Sequence, residues 1–301
     1  MSRLRVSFFP GVAAWPLWAA LDGGTFARAA LEVVLEPTPS SAELFARLDR
    51  GDYDIAHAAI DNPIAYDVGM GAVPTAARDF VAFFGVDAGG MQLIARPGVT
   101  SIAALSGKTA AVDALSTGFA FALRAMLDTE GLDGAVTLAP RGGTAQRYRQ
   151  LIAGDFDATL LAPPYDLQAL ERGFVTLGTI AGVVGRYQGV VAIARRGWLA
   201  AHRDNAVAYL TTYRAALDLL AGDRVGAIAL LQVHEPDLSG ALAAQCYDAA
   251  FAPGAGFRRD ACIDLDGVRT VLRLRARYAP PGAGDDPSAY IDPSILAATL
   301  H

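Results

Sequence analysis

His57 and Asp61 stand four residues apart, and of the four histidines only His57 falls where a ligand is expected. An imidazole and a carboxylate so placed can act as the acid/base pair of a lyase or decarboxylase, worth about 10²–10⁴ in rate. The other reading is a histidine hydrogen-bonded at the end of a strand. His202, His234 and His301 are scattered. The chain carries no Gly-x-Ser-x-Gly elbow, Walker loop, dinucleotide fingerprint or zinc-ligand spacing, so neither a metal nor a cofactor is expected. Cys246 and Cys262 match no metal knuckle or redox pair and read as ordinary buried thiols.

A second set of residues suits binding rather than proton transfer. Ser40, Ser41, Ser116, Thr117, Gly118, Gly143 and Thr144 cluster at the starts of expected helices. Helices opening at Thr117 and Thr144 aim free backbone N–H groups, and positive dipole ends, at a carboxylate or sulfonate. Simple capping explains each hydroxyl equally well. Asp61, Asp87, Asp113 and Asp166 lie in or beside the same loops and suit an amine, a heterocyclic N–H or hydroxyls. Asn62, Pro164 and Gln188 join them as polar or shaping wall residues, and Trp15, Tyr165 and Tyr187 offer flat apolar walls. For Trp15 a place in the core is the alternative.

These residues gather only if the chain folds as two matching units. Gly51-Asp52-Tyr53-Asp54-Ile55-Ala56 recurs, 103 residues on, as Gly154-Asp155-Phe156-Asp157-Ala158-Thr159. In the same register Pro37 meets Pro140, Ser41 meets Thr144, and the strand-like 32–35 meets 135–138. Each half reads strand, helix, strand, helix, strand, a unit that builds a parallel sheet with right-handed crossovers. Ligands bind such sheets beyond the carboxyl ends of the strands, where the residues above fall.

Composition agrees with an α/β protein of two lobes. The 301 residues exceed one compact core, and 53% hydrophobic against 19% charged residues suffice for two. The expected division is 1–94 with 188–301 as the first lobe and 95–187 as the second, with hinges near Leu93–Val99 and Tyr187–Val191. Four helical stretches from Trp198 onward are expected to cover the first lobe's sheet. A formal charge of −6, with no basic run interleaved with aromatics, argues against nucleic acid. No stretch is apolar enough for membrane insertion. As written, Met1-Ser2-Arg3-Leu4-Arg5 runs straight into a strand, so a cytoplasmic location is expected, or a periplasmic one where the native start is missing.

Pro16-Leu17-Trp18-Ala19-Ala20 with Gly24 and Phe26, then Leu48 to Ala56, resembles the early segment of type II periplasmic binding proteins. Their relevant members are ABC-transporter substrate-binding proteins for nitrate, sulfonates, taurine and thiamine-pyrimidine precursors. Ser101-Ile102-Ala103-Ala104-Leu105-Ser106-Gly107-Lys108 looks like that group's entry into the second lobe, and the likeness spans about residues 3 to 220. The resemblance implies a two-lobed protein, a monomer or weak dimer, closing around one small organic ligand. It implies an ABC transporter permease as partner if the protein is exported. A cytoplasmic enzyme on this fold, pyrimidine-synthase-like or a decarboxylase using His57 and Asp61, is the alternative. The cysteine cluster of that synthase is missing here.

Overall fold

A computed structural model describes residues 1–254 and 256–299; His301 lies outside them. Ten strands run along the chain: β1 (Ser2–Phe8), β2 (Leu31–Pro37), β3 (Ile55–Ala59), β4 (Phe80–Gly85), β5 (Gln92–Ala95), β6 (Thr109–Val112), β7 (Thr137–Pro140), β8 (Ala158–Leu161), β9 (Val175–Thr179) and β10 (Val190–Arg195). They form two five-stranded sheets, ordered β2-β1-β3-β10-β4 and β7-β6-β8-β5-β9. In each, the first three strands pair in parallel and the fourth place goes to an antiparallel strand. That strand arrives from the other lobe, β5 in the second sheet and β10 in the first. Two chain crossings therefore join the lobes.

The sequence repeat is a structural repeat down to single hydrogen bonds. Helices Ser41–Arg50 and Thr144–Ala153 both end in a left-handed glycine, Gly51 and Gly154, which supplies the αL cap at no Cβ penalty. The aspartate three residues later then ties the next strand to the first strand of its sheet. Asp54 Oδ2 accepts from the Arg5 N–H at 2.8 Å, and Asp157 Oδ2 from the Thr109 N–H at 2.8 Å. Tyr53 and Phe156, between them, are buried.

Two expectations shift. Strand β5 already pairs with β8 and β9, so the first crossing lies at 86–91 and not at Leu93–Val99, and a division at residue 94 cuts a strand. A short apolar run carries no period that assigns it to either sheet. Helices Arg203–Gly222, Arg224–His234 and Gly240–Ala250 do pack on the first lobe's core. Helix Leu265–Tyr278, in contrast, lies against Gly118–Asp128 of the second lobe, with Arg124 Nη1 donating to the Tyr278 carbonyl at 3.0 Å.

Candidate functional site

The lobes meet rim to rim. The Val12 N–H donates to the Pro163 carbonyl at 3.2 Å on one side, and the Gly143 N–H to the Pro39 carbonyl at 3.1 Å on the other. Between these ties lies a cavity of about 410 Å³, the size of a small-molecule site. Ser41, His57, Asp61, Asn62 and Asp87 line it from the first lobe; Asp113, Thr117, Gly118, Gly143, Thr144 and Tyr165 line it from the second.

The other expected wall residues sit behind or beside it. Trp15 is fully buried with its ring edge-on to Tyr247, because it opens a helix packed on the lobe core. Ser40 is occupied as the cap of its helix, accepting from the Glu43 N–H at 3.2 Å. Ser116 gives its carbonyl to Arg275, and Pro163 rather than Pro164 reaches the wall. Tyr187 is buried and stacks on Phe119. Gln188 spans the crossings, donating to the Asp87 and Val190 carbonyls at 2.9 and 3.2 Å. Ser41 and Thr144 start their helices, while the caps are Ser40 and Gly143. Thr117 is a cap, and its hydroxyl also donates to Asp113 Oδ1 at 2.6 Å.

The acid/base pair does not form. His57 Nε2 bonds the Tyr209 hydroxyl at 2.9 Å, and burial drives the imidazole down to about 3, so it is neutral throughout the physiological range. Asp61 instead takes a two-pronged hydrogen bond from Arg275, Nε to Oδ1 at 2.8 Å and Nη2 to Oδ2 at 2.6 Å. The two side chains are 4% and 2% exposed, a buried ion pair. Burial raises the Asp61 carboxyl while the Arg275 guanidinium opposes that rise.

Asp87 is likewise committed, accepting the Gly89 and Val190 N–H groups at 2.8 and 3.0 Å and so joining both crossings. Gly118 is needed for a close approach: a Cβ there would lie 2.7 Å from Asp61 Cβ and 3.0 Å from the Tyr187 hydroxyl. Gly118→Ala is therefore expected to lower stability by about 1–3 kcal/mol through overpacking, read from the urea midpoint. An unchanged midpoint would show that Asp61 yields without strain.

Three charged wall residues remain, Asp113, Arg147 and Asp166, and none has an opposite charge within salt-bridge distance among the described residues; Asp113 is half-buried and the other two are buried. Arg147 is buried and donates only to neutral oxygens: Thr159 Oγ1 at 2.9 Å, the Gly142 carbonyl at 2.6 Å, the Leu160 carbonyl at 3.0 Å and Thr144 Oγ1 at 3.4 Å. Burial lowers its pKa, and the nearby charge of Asp113 opposes this. Asp166, 1% exposed, accepts from Gln92 Nε2 at 2.9 Å and the Leu167 N–H at 2.7 Å. Burial pushes its carboxyl up to about 6. Reading by strand ends passes over Arg147, which sits one turn inside its helix. The available signal was a cation in a first turn, where the helix dipole disfavours it.

Comparison with known proteins agrees with this architecture. Over nearly its whole length the chain superposes on the periplasmic nitrate-binding protein NrtA of Synechocystis PCC 6803, with a TM-score of 0.82 at 14% identity, covering 100% of this chain and 88% of that one. The zinc-bound ligand-binding component of an ABC-type import system from Staphylococcus aureus gives 0.79 at 13% identity, covering 99% of each chain. The periplasmic aliphatic sulphonate binding protein SsuA of Escherichia coli gives 0.72 at 18%, covering 97% and 92%. Identities this low establish the fold alone. No curated protein sequence matches the chain. No helix among the described residues is long and apolar enough to cross a membrane. The sequence profile of the NMT1-like family matches residues 1–229, about three quarters of the chain. With its two exchanged-strand sheets and a cavity between them, the chain belongs to the NMT1-like family and has the periplasmic-binding-protein fold.

Proposed function

We propose that this protein is the ligand-binding component of an import system, closing its lobes around one compact organic molecule that carries a carboxylate or sulfonate. The observation that carries the reading is Arg147, a buried guanidinium on the cavity wall with no ion-pair partner among the described residues. A buried charge left unpaired is costly, and an anionic ligand group relieves it. The helix start at Thr144 adds backbone N–H groups to the same wall. Apolar groups such as Phe9, Met91 and Phe119 line the rest and suit a hydrocarbon or ring. When the protein is exported, an ABC permease is the partner to which the closed form delivers its ligand. Movement of the first sheet, β2-β1-β3-β10-β4, against the second, β7-β6-β8-β5-β9, is the proposed closing motion, about the two crossings.

A thermal-shift series of small carboxylates and sulfonates tests this. A member that binds the folded state alone raises stability by about 2.7 kcal/mol at a hundredfold excess over its Kd. Arg147→Gln is expected to abolish that shift relative to its own ligand-free melting point. A series in which no member shifts the wild type, or in which Arg147→Gln shifts as much, rejects the reading.

A further inference from the structure

Arg147 is only half of an arrangement. Of the four acids at the strand ends, Asp61 is neutralised by Arg275. Asp87 is fixed by two backbone N–H groups that join the crossings. Asp113 accepts from Thr117 and lies close enough to Arg147 to influence it. Asp166 differs: it lines the cavity and is buried, and it has only an amide and one backbone N–H as donors. The wall therefore holds a buried unpaired cation and a buried unpaired anion that do not satisfy each other.

Their placement is set by the second sheet. Arg147 is anchored to Thr159 and Leu160 of β8. Asp166 is anchored to Gln92 of β5, the next strand over. Both side chains line the same cavity, so one molecule that fills it can touch both.

We infer that the ligand is a zwitterion, an acid that also carries a protonated nitrogen, with its anionic group at Arg147 and its cationic nitrogen at Asp166. This rests on the binding role proposed above and narrows it to one chemical class. A carboxylate buried among apolar groups keeps its charge when a cation is delivered to it, and the same holds for the guanidinium. One molecule bearing both charges neutralises both ends of the cavity as the lobes close. A simple acid leaves Asp166 uncompensated, and a simple amine leaves Arg147 so.

Calorimetric titration at pH 8 with two matched sets decides the matter. One set is 5-aminopentanoate, pentanoate and pentylamine; the other is 4-(aminomethyl)benzoate, 4-methylbenzoate and 4-methylbenzylamine. In at least one set the zwitterion is expected to bind about tenfold or more tighter than both single-charge analogues, the worth of about 1.4 kcal/mol. Asp166→Asn is expected to erase the difference between that zwitterion and its acid. Acids binding as well as their zwitterions, or an advantage that survives Asp166→Asn, overturn the zwitterion while leaving the acid-binding role intact. Amines binding alone, or no probe binding at all, overturn both. The wild-type comparison stands without the variant.

Discussion

Arg275→Met is expected to lower the unfolding free energy by about 3–5 kcal/mol, a large part of the 5–15 kcal/mol that holds a typical domain together. The arginine reaches from helix Leu265–Tyr278 to the Asp61 carboxylate of the first lobe, and its Nη2 also donates to the Ser116 carbonyl of the second at 3.0 Å. Its guanidinium lies 5.2 Å from the centre of the Phe121 ring. Removing it strands a buried carboxylate whose pKa burial already raises, so Asp61 must take up a proton or carry an unpaired charge. The deficit should therefore shrink as pH falls, since protonation removes the charge. The double variant Asp61→Leu/Arg275→Met should regain most of the loss, because apolar groups of like volume replace buried ion pairs with little penalty. Urea midpoints of the two singles and the double measure the coupling. A single-variant loss below about 1 kcal/mol would mean that the pair is solvated and does not hold the lobes.

The fold was legible because it is written twice. Gly51 and Gly154, with Asp54 and Asp157 three residues later, mark the same helix-to-strand corner in both halves, and each corner demands a left-handed residue and a carboxylate acceptor. Strand ends follow from such corners, and most of the cavity wall follows from strand ends. What sequence could not supply was the partner of each side chain. His57 and Asp61 lie four residues apart in the chain, yet their partners, Tyr209 and Arg275, lie more than 150 residues away. The exchange of β5 and β10 was hidden for a related reason. Gln92-Leu93-Ile94-Ala95 is apolar on both faces, and only the strands flanking it decide which lobe it joins. Trp15 was ambiguous as it stood, since an aromatic at a helix start can face either the cavity or the core.

The pairings also explain why the acids of the site have different duties. Asp87 accepts one N–H from each crossing, Gly89 from the first and Val190 from the second. Gln188 adds its amide to the same junction, and its Oε1 accepts from the Asp264 N–H at 2.8 Å ahead of helix Leu265–Tyr278. That helix then carries Arg275 to Asp61. Joint and cavity are thus one polar network running from Asp87 through Gln188 and Asp264 to the wall at Asp61, built from residues that the chain order keeps far apart. Asp166 stands outside it, held by Gln92 of β5, and is the acid left for a ligand.

Asp166→Asn is expected to make the ligand-free protein more stable at neutral pH while weakening its hold on a zwitterion. The carboxyl titrates at about 6 in the folded chain because burial penalises its charge, against about 3.9 when unfolded. Between those two values the folded state holds a proton that the unfolded state has released, so this group's contribution falls as pH rises from about 4 to 6. Above that window the ionised carboxylate costs the folded state about 3 kcal/mol, taking 1.36 kcal/mol per pKa unit. The groups around it give little relief: Gln92 and the Leu167 N–H donate to it, Cys246 is a neutral neighbour, and no cation lies within salt-bridge distance among the described residues. Asparagine keeps the shape and removes the charge. The variant should therefore melt several degrees above the wild type at pH 7.5 and converge with it at pH 4, at about 2–4 °C per kcal/mol for a protein of this size. Equal melting points across that range would mean that Asp166 is already compensated and has no need of a cationic ligand. A variant that gains stability and loses the zwitterion's advantage identifies the carboxylate as strain retained for binding. The same charge that weakens the empty protein at neutral pH is then the one a bound cation stabilises, and zwitterion affinity should rise with pH through 6 as that charge develops.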